Sequence, residues 1–217
     1  MNNTNKLEEI VNYLYQYPSD INEHFPALIK YGTECDHITE MGVRWITSTW
    51  AFLGCAPKKL ISYDMQNPSF WGEGSIHMSN DAIQRGYNKL QDVYDIANEF
   101  GLDYEFIQAN VLDIEIEETD LLFIDTCHSY KHLKAELKLH ASKVRKYLVF
   151  HDTTTYADVD ETNYESLGGI FTSEGIGIWR AIEEFLQENP QWKLEKRYMN
   201  NNGLTILKNE KQYKNGN

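Results

Sequence analysis

Apolar positions recur along this chain with two periods, and the alternation between them predicts an α/β architecture. Leu7, Ile10, Val11 and Leu14 share one face of a short helix, with Pro18 beyond its end. A second helical piece over 21–31 completes an N-terminal helical cap spanning 1–35. His37–Met41 is a strand, Gly42-Val43-Arg44 a turn, and 46–53 a helix with Gly54 past its end. Lys59–Asp64 is a second strand, and a long amphipathic helix marked by Ala82, Ile83, Tyr87, Leu90, Val93 and Ala97 stops near Gly101. A third strand covers 104–108, and the acidic run 113–120 is a solvated connection.

The pattern changes over 121–154, where two continuous apolar runs, LLFID and YLVFHD, each end in an aspartate. Runs without alternation are those of strands buried on both faces. The helix between them, 130–144, carries Leu133, Leu137, Ala141 and Val144 inward. A crossover helix returns two parallel strands to the same edge, where such sheets bind ligands. Asp125, His128, His151 and Asp152 are therefore expected near one another. A long loop over 153–172 follows, then a helix carrying Ile178, Ala181, Ile182, Phe185 and Leu186. Trp192–Tyr198 and 203–207 alternate as a closing hairpin, and 210–217 is a polar tail. Five strands alternating with helices before a hairpin define a Rossmann-like, doubly wound sheet. It is mostly parallel with a C-terminal antiparallel hairpin and has helices on both faces. The main domain is expected over 36–209.

Composition narrows the function. The chain has 217 residues, enough for one large domain, and 41% hydrophobic with 24% charged residues is ordinary for a globular protein. A formal net charge of −13 argues against a phosphate-backbone partner, so no nucleic acid is expected. Three cysteines without metal-ligand spacing fit a reducing compartment. No signal-like start and no apolar run of spanning length occur, so a cytoplasmic protein without a membrane partner is expected.

A strand, a glycine turn and a helix start form the arrangement that receives nucleotides. Gly42 permits close approach of the backbone, and Ser48 or Thr49 adds a hydroxyl. Asp64 stands at the end of the second strand, where Rossmann-like folds carry the ribose-binding acid.

With these strand ends placed, the chain resembles a class I S-adenosylmethionine-dependent methyltransferase over roughly 36–207. It is most similar to small O-methyltransferases of the catechol and the sugar- and antibiotic-tailoring type. There a strand ending in Asp runs into a His-containing turn and an Ala-Glu-Leu helix, as in FIDTCHSYKHLKAEL here. The resemblance implies seven strands. It implies that Glu40 and Gly42 lie beside the methionine part of the cofactor, with Ser48 near its carboxylate. Asp64 would bind the ribose, Met65 would lie against the adenine, and Asn110 and Val111 would read its edge. Asp125 would close strand four beside the cofactor, and Asp152 strand five. The family's further glycines are replaced by Arg44 through Thr47, and Thr153 stands where metal-dependent relatives carry Asp or Asn.

A hydroxyl acceptor needs its proton removed, and an imidazole titrating near about pH 6.5 suits that task. His128 is the first candidate base, His151 the second, with Asp125 able to orient a histidine. Asp125 and Asp152 are also candidate ligands for Mg²⁺, which prefers hard oxygen donors. The expected acceptor is a small molecule, sugar-like or another metabolite, suited to the acidic loop around Asp158–Glu165 with Tyr156, Tyr164 and Phe171; a homo-oligomer stays open. Two other classes share the fold: a nicotinamide-dependent oxidoreductase, and a non-catalytic protein binding a partner through that loop.

Overall fold

The computed structural model describes residues 4–71, 87 and 89–211. The expected helix start around Ala82 and Ile83 lies outside the described residues. The described residues form seven strands, mostly parallel with a C-terminal antiparallel hairpin. Two compact units divide the chain, 1–110 and 111–217.

The first unit holds helices α1 (Thr4–Gln16), α2 (Phe25–Gly32), α3 (Thr47–Leu53) and α4 (Leu90–Phe100), with strands β1 (His37–Met41), β2 (Lys59–Asp64) and β3 (Asp103–Gln108). Its strands are parallel, with Glu40 beside Ser62 and Asp64 beside Gln108. β1 is buried along its whole length, so Ile38 and Met41 join Trp50, Phe52, Leu53 and Leu60 in the core. Each such side chain contributes about 1.5–3 kcal/mol on burial. β3 alternates polar Asp103 and Glu105 with buried Tyr104, as a half-solvated strand does. Gly101, in the left-handed conformation, ends α4.

The second unit holds β4 (Thr119–Ile124), α5 (Tyr130–His140), β5 (Val144–His151), α6 (Ile178–Glu188), β6 (Trp192–Tyr198) and β7 (Leu204–Asn209). β4 and β5 are parallel, with Ile124 beside Phe150, so Asp125 and His151 leave the two strands side by side. β7 runs antiparallel to both β5 and β6. The expected helix over 130–144 is shorter, because its last turn tightens over Ala141–Lys143 and Val144 is drawn into β5 opposite Thr119. α6 buries Ile178, Ala181, Ile182 and Phe185. Among the described residues no helix is long and apolar enough to cross a membrane.

The turn after β1 is strained. Gly42 takes φ +87, which costs glycine nothing, but Arg44 and Ile46 also adopt positive φ of 46 and 57. Ile46 is the residue preceding α3, and left-handed backbone at a β-branched residue is a genuine outlier. Its side chain is fully buried, whereas Arg44 is exposed. Arg44→Gly should therefore stabilise the protein by about 0.5–1 kcal/mol by relieving strain. Ile46→Gly should destabilise it by about 2 kcal/mol or more, because the lost core side chain outweighs the relief. Urea titration of both variants measures the pair.

Candidate active site

In the first unit two acids organise the nucleotide-type turn. The Glu40 carboxylate is fully buried, and a buried charge persists only where donors surround it. Ser48 Oγ donates to it at 2.6 Å, Thr49 Oγ1 at 2.8 Å and Ser62 Oγ at 2.6 Å. Ser48, expected near a cofactor carboxylate, thus gives its proton to Glu40. Asp64 closes the turn by accepting from the backbone N–H groups of Val43 (2.8 Å) and Arg44 (3.0 Å) on Oδ2, and of Gln66 (2.8 Å) on Oδ1. Three of a carboxylate's roughly four acceptor positions are filled. Gly42 donates its N–H to Tyr63 O. Met65 is exposed, Gln108 Nε2 donates to its carbonyl at 3.1 Å, and Asn110 is half-buried.

In the second unit the strand ends come together as the sequence predicts. His128 lies at their centre. Its Nε2 is 3.1 Å from Asp125 Oδ1 and 3.0 Å from Asp152 Oδ2. Its Nδ1 is 2.9 Å from Glu161 Oε2. His151 Nδ1 stands 3.3 Å from the same Asp125 oxygen and 3.6 Å from Asp152 Oδ2. The His151 side chain is 1% exposed, against 14% for His128 and 24% for Asp125, so His128 is the more open imidazole. Val111, expected at the adenine edge, is buried, and its carbonyl lies 2.8 Å from His140 Nε2.

Glu161 is the residue that sequence reasoning missed. The acids of the 153–172 loop are expected to face an acceptor, but Asp160 and Glu161 are both buried. Glu161 is tied to the turn three ways, since its N–H donates to His128 O at 2.8 Å and its carboxylate meets both His128 N (3.3 Å) and Nδ1. Asp160 gathers the loop around itself. Its two oxygens accept from the N–H groups of Tyr130 (2.7 Å), Gly177 (3.0 Å), Glu174 (2.7 Å) and Gly175 (3.0 Å), and from Ser173 Oγ (3.2 Å). Gly177 has φ +82 and abuts the Ala157 carbonyl, where any Cβ would collide. The Tyr156 ring stacks on His128 at 4.9 Å and 3°.

Asp152 itself has φ +59, left-handed backbone like that of Arg44 and Ile46. Its neighbour Thr153 is fixed on both sides: Arg197 Nη2 donates to the Thr153 carbonyl at 2.9 Å, and Thr205 Oγ1 bonds the Thr153 hydroxyl at 2.9 Å. Arg197 is in turn stacked over Trp179 at 3.5 Å.

The charges follow from these contacts. Burial opposes a charge on His128, but bonds to Asp125 and Glu161 and the Asp152 charge outweigh it and push the ring from 6.5 up to about 10. Burial likewise opposes the Asp125 charge, yet His151 and His128 hold that carboxyl well below its usual 3.8. Glu161 is lowered for the same reason, chiefly by the His128 bond against the cost of burial.

No family model matches this chain, and no curated protein matches its sequence. Solved structures do. A protein from Staphylococcus aureus assigned as a caffeoyl-CoA O-methyltransferase is 13% identical, with TM-score 0.57 over 94% of this chain and 92% of that one. An O-methyltransferase from Bacillus cereus, solved with SAH, is 12% identical, with TM-score 0.55 over 96% and 91%. At such identities the likeness is one of fold, a Rossmann-like sheet that is mostly parallel with a C-terminal antiparallel hairpin.

The His128 cluster makes stability depend on pH. A raised imidazole stabilises the fold fully below its unfolded value of 6.5, and that contribution is lost as pH rises through about 10. The lowered Asp125 and Glu161 contribute above 3.8 and 4.5, and lose their effect as pH falls. Between pH 6.5 and 10 the melting temperature of the wild type should therefore fall more steeply than that of His128→Gln. Parallel melting curves for the two proteins test this.

Proposed function

We propose that the protein is an S-adenosylmethionine-dependent methyltransferase that methylates a hydroxyl of a small polar acceptor, a sugar or secondary metabolite. The observation that carries this reading is the His128 cluster at the ends of β4 and β5, on a fold whose solved neighbours include an O-methyltransferase bound to SAH. When bound, S-adenosylmethionine supplies an electrophilic methyl group on a sulfonium that leaves as a neutral thioether. The protein's task is alignment and removal of one proton.

Glu40, Gly42, Ser48, Asp64, Met65, Asn110, Val111 and Asp125 are the residues that would receive the cofactor. The donor set fits one. Asp64 retains an acceptor position on Oδ1 for a ribose hydroxyl. Ser48, having donated to Glu40, offers lone pairs and so suits the ammonium of the methionine part better than its carboxylate. Glu40 acts through Ser48 and Thr49.

In the second unit His128 is the base. Glu161 accepts the Nδ1 proton and so leaves Nε2 as the basic nitrogen, with Asp125 and Asp152 beside it. Asp125 is braced by His151. The acceptor hydroxyl gives its proton to Nε2 while its oxygen takes the methyl group. A ring pushed up to about 10 is mostly protonated at neutral pH, so the reactive form grows as pH rises.

Isothermal titration tests the cofactor: S-adenosylmethionine should bind while NADH does not, and Asp64→Ala should weaken it by roughly 10- to 100-fold, the value of a hydrogen bond to a charged group. Failure of the wild type to bind would sink the reading. With an acceptor in hand, kcat/KM should climb about tenfold per pH unit from 7 until it levels near 10, and His128→Gln should lower kcat by about 10²–10⁴.

A further inference from the structure

Metal-dependent relatives of the kind the sequence resembles would hold a divalent ion between the acids that end strands four and five. Here the ligand-capable atoms of Asp125, His128 and Asp152 all lie within 4.8 Å of one another. The geometry points to a different occupant: we propose that the His128 imidazole stands where such an ion would sit, between Asp125 and Asp152, and that this protein replaces the ion with a side chain.

Four observations carry the inference. First, Nε2 is at hydrogen-bond distance from both carboxylates at once, 3.1 Å from Asp125 Oδ1 and 3.0 Å from Asp152 Oδ2. A ring nitrogen this close to both oxygens fills the space that an ion held between them would need. Second, the ring is held at its other nitrogen and on one face. Glu161 takes Nδ1, Tyr156 stacks on its face, and the His128 N–H and carbonyl are both bonded to Glu161, so the ring is not a mobile neighbour that swings away. Third, the donor chemistry is wrong for Mg²⁺, which demands near-octahedral oxygen at about 2.0–2.1 Å and tolerates nitrogen poorly. Fourth, the position after Asp152, which would offer a further oxygen ligand, is Thr153. It is fully buried, its hydroxyl oxygen accepting from Thr205 Oγ1 and its carbonyl from Arg197 Nη2.

The consequence is that the two aspartates form a latent ion site that the ring keeps closed. The role of the ring in turnover rests on the methyltransferase reading, but its exclusion of the ion does not. The test is binding of Mn²⁺, followed by the paramagnetic signal of the free ion, and of Mg²⁺ by calorimetry. Wild type, His128→Ala, His128→Asn and the double variant His128→Ala with Asp125→Ala are compared. Asn keeps an amide for Glu161 but is too short to fill the Nε2 position, and so guards against loss of the loop in the Ala variant.

Removing the ring should create a site at least about tenfold tighter than anything in the wild type, in both single variants, and the double variant should lose it. Three results overturn the inference: wild-type binding that weakens when His128 is removed, which would make the ring a ligand; equal binding in all four proteins; or no binding in any. S-adenosylmethionine titration on the same samples separates the two ideas. Cofactor binding with a contrary ion result sinks the inference alone, and absent cofactor binding sinks the functional reading while the ion result stands.

Discussion

A carboxylate withdrawn wholly or partly from water must be supplied with donors, and most of what is distinctive in this structure follows from that constraint. Glu40 is met by three hydroxyls, Asp64 by three backbone amides, and Asp160 by four amides and a hydroxyl. Asp125, Asp152 and Glu161 share one imidazole. Each acid fixes the path of a loop that has no repeating backbone pattern of its own. The turn after β1 is shaped by Asp64, and the long segment after β5 by Asp160 and Glu161.

Three of the described non-glycine residues with positive φ lie beside these acids, while Ala56, Asn201 and Asn202 lie in other turns. Arg44 and Ile46 adopt left-handed backbone in the turn whose amides face Asp64, and Asp152 does so beside His128. Such residues cost about 1–3 kcal/mol each and persist only where the surroundings over-determine them. Here the surroundings are identifiable. The buried Ile46 side chain anchors one turn, and Arg197 with Thr205 anchors Thr153 in the other. Strain beside the two acid clusters is what a fold tolerates where groups must be aimed rather than merely packed.

In the second unit, the cluster combines an orienting carboxylate with an imidazole and a pair of acids. Glu161 meets Nδ1 from the loop while Asp125 and Asp152 meet Nε2 from the strand ends, and all three raise the proton affinity of the ring against the cost of its burial.

The sequence by itself determined the strands and the company that their ends keep. β1, β2 and β6 begin and end where the apolar pattern predicts, because one-face and two-face burial leave direct periodic traces in residue order. The meeting of Asp125, His128, His151 and Asp152 followed too, since one right-handed crossover returns both strands to one edge. Glu161 was not legible. It reaches His128 across 33 residues of chain, and it stands in the acidic loop Asp158–Glu165 that the sequence assigns to the acceptor rather than to the histidine. Nor was the hydrogen bond from Ser48 to Glu40, or the ring lying between two aspartates instead of beside them. Periodicity records which side of one element is buried, whereas the direction of a polar side chain in a loop is decided by whichever donors the folded backbone brings within 3 Å. That choice belongs to the tertiary structure alone.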